Sequence, residues 1–341
     1  MSGRPDCVAI AQPAALGDVV ACLPLAGAVR RHWPSTRIVF IGRAYSRPLI
    51  EASSLVDCFL DAQAVLDRPT LLAEQMVEAF INPYQFQDLG RAARTARVPL
   101  RIGNLRRPRS WLWANRYITQ ASRRVQHHRA LLNLAYLAPL GLPVAYSRTE
   151  LGNMLDLDRR RPLPPQLDGL LDRRRFNLVL HPKSHGSARE WPLEHFGRLV
   201  ELLPPERFKV FVTGTARERE LLLAEGALLR RAEVVDLCGA LELEQLISFL
   251  GAADGFVGAS TGPLHIAAAA GVRALGLFPG RDRASAARWH PLGRCATALS
   301  LRDVCRPGPG RCPANYGGGA CACMSGILPG QVAQAVLAWV G

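Results

Sequence analysis

Residues 258–271 have the sequence Gly258-Ala-Ser-Thr-Gly-Pro-Leu-His-Ile-Ala-Ala-Ala-Ala-Gly271, which is typical of a tight turn between a buried strand and a helix. Pro263 suits the first helical position because its missing N–H would have no partner there. Ser260 or Thr261 can cap the helix with a side-chain oxygen. Since a helix N-terminus attracts anions, the stretch predicts a phosphate or diphosphate site, although an ordinary strand–helix turn has the same pattern.

Short apolar strands alternate with helices along most of the chain, in two series separated by an Arg- and Pro-rich segment. This alternation predicts parallel sheets covered by helices on both faces. We expect an α/β protein of two Rossmann-like, doubly wound domains that face each other across a cleft. The expected parts are an N-terminal domain at residues 1–155, a linker at 156–175, a second domain at 176–330 and a C-terminal helix at 331–341 that can pack back on the first domain.

The composition is strongly basic. The 341 residues include 42 Lys and Arg against 28 Asp and Glu, a net charge of +14, and nearly all the cations are Arg. This charge favours an anionic partner, either nucleic acid, a membrane surface or a phosphorylated substrate, although an Arg-rich genome produces the same bias.

The sequence has neither a signal-peptide pattern nor an uncharged apolar run of about 18 residues. We therefore expect a cytoplasmic protein that is at most peripheral to a membrane.

A basic and aromatic stretch lies at residues 105–129. A surface of this composition suits an anionic acceptor or lipid head groups, and a solvated basic helix and loop would have the same composition. The arginines that we expect to bind an acceptor are Arg107, Arg109, Arg116, Arg123 and Arg124.

Four cysteines, Cys305, Cys312, Cys321 and Cys323, cluster in a Gly- and Pro-rich segment. Their spacing lacks the two CxxC pairs of a zinc ribbon, so we expect no metal site, although a cluster of this kind keeps metal binding open. The other cysteines, Cys295 among them, are expected to be small core residues.

Turns at the ends of the predicted strands hold the candidate catalytic residues. Asp18 lies at the head of the first helix, where a carboxylate stays ionised and can act as a general base, although a structural N-terminal Asp is the commoner case. Lys183 and Arg189 lie on the loop after the strand that starts the second series, where either cation can neutralise a diphosphate. In the turn at residues 213–218, the carboxylate of Glu218 can hold ribose hydroxyls.

Five short motifs occur in an order that resembles the glycosyltransferase family 9 heptosyltransferases. They are Leu16-Gly-Asp18 with Leu23-Pro24, Ala188-Arg-Glu-Trp-Pro192, Gly214-Thr-Ala-Arg-Glu218, Thr261-Gly-Pro-Leu-His-Ile-Ala-Ala-Ala269 and Cys323-Met324. No single motif is specific, but the ordered set is, and the resemblance spans nearly the whole chain.

The resemblance implies the GT-B fold, with the acceptor on the first domain and the nucleotide-sugar on the second. It implies an inverting transfer from ADP-heptose to the inner core of lipopolysaccharide, at the inner face of the inner membrane and without a required cofactor or metal. Asp18 falls at the catalytic carboxylate of the family, and Arg189 falls where the family usually has Lys. The expected donor-binding residues are Lys183, Ser184, Thr215, Glu218, Ser260, Thr261, Gly262, Pro263, Leu264 and His265.

Two departures from the family pattern concern the donor. Ser260 replaces a usual Asp, and Lys183 stands where many relatives have Gly. Another nucleotide-sugar therefore remains an alternative, as does transfer to an autotransporter protein. A nucleic-acid-binding protein is less favoured, because the basic residues are spread over both domains without a known motif, and we expect no nucleic-acid partner. A nicotinamide-dependent dehydrogenase is disfavoured because no GxGxxG follows the first strand.

Overall fold

The computed structural model describes residues 4–107, 109–119, 128–280, 284–301 and 322–340. The chain forms two compact units, Met1–Arg160 and Arg161–Gly341, so the division falls within the segment expected to be a linker. Each unit contains one parallel sheet, and the chain is an α/β protein.

In the described part of the first unit, six parallel strands form one sheet in the order β3-β2-β1-β4-β5-β6. The two central strands, at residues 7–11 and 79–81, are fully buried apolar runs, as expected for strands that helices cover on both faces. The strands are β1 (Cys7–Ala11), β2 (Arg37–Gly42), β3 (Cys58–Asp61), β4 (Ala79–Ile81), β5 (Leu100–Asn104) and β6 (Arg116–Ile118).

The helices of the first unit are α1 (Leu16–Val20), α2 (Leu23–His32), α3 (Arg47–Glu51), α4 (Ala62–Asp67), α5 (Leu71–Glu74), α6 (Gln87–Thr95), α7 (Arg129–Leu134) and α8 (Arg148–Gly152), with 3-10 segments at Ala44–Ser46, Ser110–Leu112 and Ala135–Leu140. The sequence predicted one helix from Val19 to Trp33, and this was wrong because α1 ends at Val20. Pro24 has no N–H to donate to the Val20 carbonyl, so the helical ladder is interrupted there.

The second sheet has six parallel strands among the described residues, in the order β12-β11-β10-β7-β8-β9. Its strands are β7 (Phe176–His181), β8 (Phe208–Val212), β9 (Val234–Asp236), β10 (Gly255–Ala259), β11 (Arg273–Phe278) and β12 (Ala296–Ser300). The helices are α9 (Pro165–Asp168), α10 (Leu193–Leu202), α11 (Ala216–Glu225), α12 (Leu243–Ala252), α13 (Gly262–Ala269), α14 (Ala286–Trp289), α15 (Ala322–Ser325) and α16 (Pro329–Leu337), with a 3-10 segment at Leu228–Arg230.

Both sheets have the same connectivity. In each sheet, three consecutive strands lie side by side on either side of the centre, and the first strand of each set of three lies at the centre. The central pair is β1 and β4 in the first sheet and β7 and β10 in the second. In such sheets, ligands bind beyond the carboxyl ends of the central strands, where the loops diverge. The connectivity therefore defines one candidate region in each unit.

The C-terminal helix α16 completes the core of the second unit. It packs against α10, and Val332, Ala333 and Val336 lie in the same buried cluster as the strands of the second sheet. Just beyond it, Trp339 stacks on Phe176, with ring centroids 6.0 Å apart. The apolar face of this helix therefore fills the second-unit core.

The edge strands β6 and β12 and the helix α4 were not predicted. In β6, Arg116 is exposed and only Ile118 is buried, so its three residues show no strand pattern. None of the helices in the described ranges has the length and hydropathy that crossing a bilayer requires.

Candidate active site

In the first unit, the candidate region holds Asp18, which lies in the first turn of α1 directly after β1. Its side chain is 17% exposed, and its Oδ1 lies 3.9 Å from Nε of Arg129 at the start of α7. The sequence placed Asp18 at a strand end, and the structure places it there. Its partner Arg129 was not among the predicted site residues.

Arg129 is a buried cation. Its side chain is 7% exposed, and the guanidinium carbon lies 3.8 Å from the centroid of the Tyr84 ring, which follows β4. Burial lowers the pKa of Arg129, and the charge of Asp18 opposes that shift. A cation in the first turn of a helix opposes the helix dipole. That unfavourable placement was the signal in the sequence that Arg129 needs a nearby carboxylate.

Polar contacts fix α7 against the segment that carries Asp18. The amide Nδ2 of Asn133, one turn beyond Arg129, donates to the carbonyl of Ala21 at 2.9 Å and to Sγ of Cys22 at 3.2 Å. Gln12, at the end of β1, donates from Nε2 to the same sulfur at 3.4 Å. Burial raises the pKa of Cys22 to about 12, so this thiol is neutral at ordinary pH.

In the second unit, Thr261 occupies the N-cap of α13, directly after β10. Its φ of −114° and ψ of 169° are extended, but its side chain accepts no capping hydrogen bond. Thr261 is 5% exposed, and within the described part of the chain its Oγ1 has no hydrogen-bond partner. A buried hydroxyl without a partner is costly, so a ligand at this helix end would satisfy it.

The other predicted residues around this turn differ in accessibility. Ser260, Gly262 and Pro263 are partly exposed, whereas the side chains of Leu264 and His265 are buried. Leu264 packs toward Gly276 of β11, where an added Cβ would approach its Cδ2 to 2.8 Å. Leu264 can therefore meet a ligand through its backbone rather than its side chain.

Lys183 lies on the loop after β7 and forms ion pairs with two carboxylates. Its Nζ lies 3.3 Å from Oε2 of Glu190 and also contacts the carboxylate of Glu225 on α11. Burial acts to lower the pKa of Lys183, but Glu225 and Glu190 raise it above the ordinary value. Ser184 donates from its backbone N and its Oγ to Oε1 of Glu190, both at 2.9 Å. The predicted diphosphate ligand is thus part of an ion cluster that braces its own loop.

Arg189 lies farther along the same loop and is 6% exposed. The loop ends at Trp191, whose indole N–H donates to the carbonyl of Ile327 at 2.8 Å and whose ring packs edge-on against Phe196 of α10. These contacts anchor the segment that carries Arg189 to the second-unit core.

Thr215 and Glu218 form a capping box at the start of α11. Oε2 of Glu218 accepts from the backbone N of Thr215 at 2.7 Å, and the backbone N of Glu218 donates to Oγ1 of Thr215 at 3.2 Å. Glu218 is 3% exposed, and its carboxylate, which is expected to hold ribose hydroxyls, caps its own helix. Thr215 is exposed, and its Oγ1 also lies 3.3 Å from Nε2 of His185.

The basic stretch has an exposed part and a buried part. Arg107, Arg109 and Arg116 are exposed, as is Trp111, whereas Trp113 belongs to the first-unit core. Arg123 and Arg124 lie outside the described residues.

Three of the clustered cysteines, Cys305, Cys312 and Cys321, lie outside the described residues. The fourth, Cys323, is buried in the second-unit core. Among the residues that the structure does describe, no group of three or more His, Cys, Asp or Glu side chains is placed to hold a metal ion. Cys295 is exposed, so the expectation that it is a core residue was wrong.

The fold and these two regions define a two-sheet α/β protein with a carboxylate–guanidinium pair in one unit and a helix N-terminus suited to a phosphorylated ligand in the other. A family model described as glycosyltransferase family 9 (heptosyltransferase) matches residues 85–311. The match covers more than half of the chain, so the protein belongs to glycosyltransferase family 9 and is a glycosyltransferase.

Three known proteins illustrate the similarity. The lipopolysaccharide core heptosyltransferase OpsX of Haemophilus influenzae is 23% identical over 286 residues, which are 80% of this chain and 79% of that protein. The structure of the Escherichia coli ADP-heptose lps heptosyltransferase II aligns with a TM-score of 0.72 and 18% identity over 98% of both chains. The E. coli heptosyltransferase WaaC with ADP aligns with a TM-score of 0.69 and 16% identity, over 98% of this chain and 99% of that one.

Proposed function

We propose that the protein transfers a heptose from ADP-heptose to the inner core of lipopolysaccharide, with inversion at the anomeric carbon. Its family supports a heptosyl transfer, and the name of its relative OpsX supports a lipopolysaccharide core acceptor. The WaaC structure with ADP supports an adenine nucleotide as the donor group.

The observation that carries the donor site is the buried Oγ1 of Thr261, which has no partner among the described residues and lies at the N-cap of α13. The first N–H groups of a helix have no partner within the helix, and the helix dipole favours negative charge at that end. A diphosphate bound there accepts hydrogen bonds from these N–H groups and from the Thr261 hydroxyl. In the proposal, Arg189 adds a positive charge for the departing ADP, so the protein itself neutralises the leaving group.

Asp18 is the proposed general base. It takes the proton from an acceptor hydroxyl as that oxygen attacks the anomeric carbon from the face opposite the nucleotide. The carboxylate lies in the first turn of α1, where the helix dipole favours its ionised form.

The proposed acceptor surface is formed by the exposed residues Arg107, Arg109 and Arg116, together with Trp111. A phosphorylated glycolipid suits such a surface because guanidinium groups pair with phosphates while the indole covers apolar surface. In the proposal the protein works in the cytoplasm, at the inner face of the membrane that holds this lipid.

The donor is tested by thermal unfolding with ADP, ADP-heptose, UDP, GDP and CMP. A ligand at about 100 times its dissociation constant stabilises the folded protein by about 2.7 kcal/mol, which raises the melting temperature by a few degrees. We expect a rise with ADP and ADP-heptose, and a smaller rise with both in Thr261→Val, which removes the hydroxyl at nearly constant volume. A rise with UDP or GDP instead would assign another sugar donor, and no rise with any nucleotide would contradict the proposed donor site.

A further inference from the structure

We propose that Arg129 is a positioning residue for the reaction, whose buried guanidinium keeps the Asp18 carboxylate charged and fixed in place. The inference rests on the proposed function, in which Asp18 is the base. It goes beyond that function because it assigns a role to a residue that contacts Asp18 rather than the reacting atoms. Its basis is the 3.9 Å separation between Nε of Arg129 and Oδ1 of Asp18.

The separation and the burial together make this pair an electrostatic one. At 3.9 Å the contact is longer than a hydrogen bond, so Nε of Arg129 acts on Asp18 by its charge. The two side chains are 7% and 17% exposed, so solvent screens the attraction less than it would at the surface. An opposite charge at this distance favours the ionised carboxylate, and a base must be ionised to accept a proton.

The guanidinium packs on an aromatic ring, and the helix that carries it is bonded to the segment after α1. The ring of Tyr84 lies 3.8 Å from its central carbon, a cation–π arrangement that suits a planar group. The backbone of α7 is fixed by Asn133, which donates to the Ala21 carbonyl at the end of α1. Arg129 and Asp18 are therefore carried by two helices that are bonded to each other, and their separation is set by the fold.

Among the residues that the structure describes, the titratable groups that interact with Asp18 include Arg129, Cys22 and Tyr45. Burial raises the pKa of Cys22 to about 12 and also raises that of Tyr45, so both are neutral at ordinary pH. Of these three groups, Arg129 is the one that carries a charge. The charge state of Asp18 should consequently respond to a change at Arg129.

The test compares Arg129→Gln, Arg129→Lys and Asn133→Ala with the wild type, with ADP-heptose and a lipopolysaccharide truncated in the inner core as substrates. In Arg129→Gln, the pH at which kcat/KM falls on the acid side should rise by about one unit or more, the effect of removing an opposite charge at this distance. Arg129→Lys keeps the charge and should restore the wild-type acid limb. Asn133→Ala removes the bond to the segment after α1 but not the charge, so it should lower the melting temperature and shift the acid limb less than Arg129→Gln does.

A substrate-free measurement separates this inference from the proposed function. The side-chain carboxyl ¹³C signal of Asp18, assigned by its loss in Asp18→Asn, should titrate at higher pH in Arg129→Gln than in the wild type. An unchanged titration and acid limb, with Asp18→Asn inactive, would overturn the role of Arg129 and leave the proposed base. A rise in KM for the acceptor with an unchanged acid limb would also overturn it, because Arg129 would then be a substrate ligand. Full turnover by Asp18→Asn would remove the proposed base itself.

Discussion

The ammonium of Lys183 lies 3.3 Å from Oε2 of Glu190, and the carboxylate of Glu225 contacts it as well. This cluster indicates that Lys183 stabilises its own loop, and its binding of the donor diphosphate stays a prediction. We expect Lys183→Met to lower the free energy of unfolding by about 1–2 kcal/mol, less than for a fully buried pair because Glu225 is nearly half exposed. Thermal unfolding measures this loss.

Lys209→Met is the matched control, since Lys209 lies on a strand of the same unit and has no carboxylate partner among the ion pairs of the described residues. ADP should still raise the melting temperature of Lys183→Met. If Lys183→Met instead keeps its stability and loses the response to ADP, then Lys183 is a donor ligand, as the sequence predicted.

The replacement Asp18→Asn should reduce turnover by about 10²–10⁴-fold, the contribution typical of a general base. The melting-temperature rise with ADP should persist, because the proposed donor site lies in the other unit. Asp88→Asn is the control, since Asp88 pairs at 3.0 Å with Arg91 on an exposed surface of the first unit. Turnover is measured as ADP release with an acceptor present. An equal loss of turnover in Asp88→Asn would contradict a specific role of Asp18, because removal of an exposed carboxylate would then have the same effect.

The surface around Trp111 should bind anionic lipid. Trp111 is 68% exposed and belongs to the same short segment of the chain as the exposed Arg107. Because a basic residue near an anionic membrane contributes about 1 kcal/mol, Arg107→Gln should weaken binding to phosphatidylglycerol vesicles about fivefold.

Trp111→Ala should weaken the same binding, whereas Met76→Ala should not, although Met76 is equally exposed at 72%. Vesicle sedimentation in low and high salt measures the effect. Equal losses for Trp111→Ala and Met76→Ala would show that exposed apolar area alone governs the binding.

The buried His181 should make stability depend on pH. Burial lowers its pKa below the ordinary value near 6.5, and its Nδ1 lies 3.0 Å from Oγ1 of Thr213. Below about pH 6.5 the unfolded chain binds a proton that the folded protein does not, so the free energy of unfolding falls by up to about 1.4 kcal/mol per pH unit. Above that pH the contribution is fully present.

We expect the melting temperature to fall between about pH 7.5 and pH 5.5, and to fall less in His181→Gln. His32→Gln serves as the control, because it makes the same replacement at an exposed position on α2. The same pH dependence in wild type and His181→Gln would assign the effect to other groups.

Much of the fold could be predicted because buried parallel strands are continuous apolar runs. The strand Phe176–His181 and the helix Leu243–Ala252 have the predicted bounds. The edge strand β6 could not be predicted, because Arg116 faces solvent and the strand exists only through its pairing with β5. The residues of β6 alone do not indicate that it pairs with β5.

The site was predictable where it depends on local sequence and unpredictable where it depends on distant pairs. The turns that hold Asp18 and Thr261 follow from adjacent residues, whereas the pairing of Asp18 with Arg129 depends on how the fold brings two helices together. The capping by Glu218 is a local pattern, since Thr followed three residues later by Glu is a capping box, and the sequence supported that interpretation equally well.

In the part of the chain that the structure describes, each half has its own sheet with the same connectivity, its own covering helices and its own buried core. The consequence is evolutionary. Under the proposed function, loops at the strand ends of the first half can diverge under selection for a new acceptor, while the scaffold of the proposed nucleotide site in the other half is inherited unchanged. Exchange of residues 1–160 between relatives should therefore transfer acceptor preference as one heritable block.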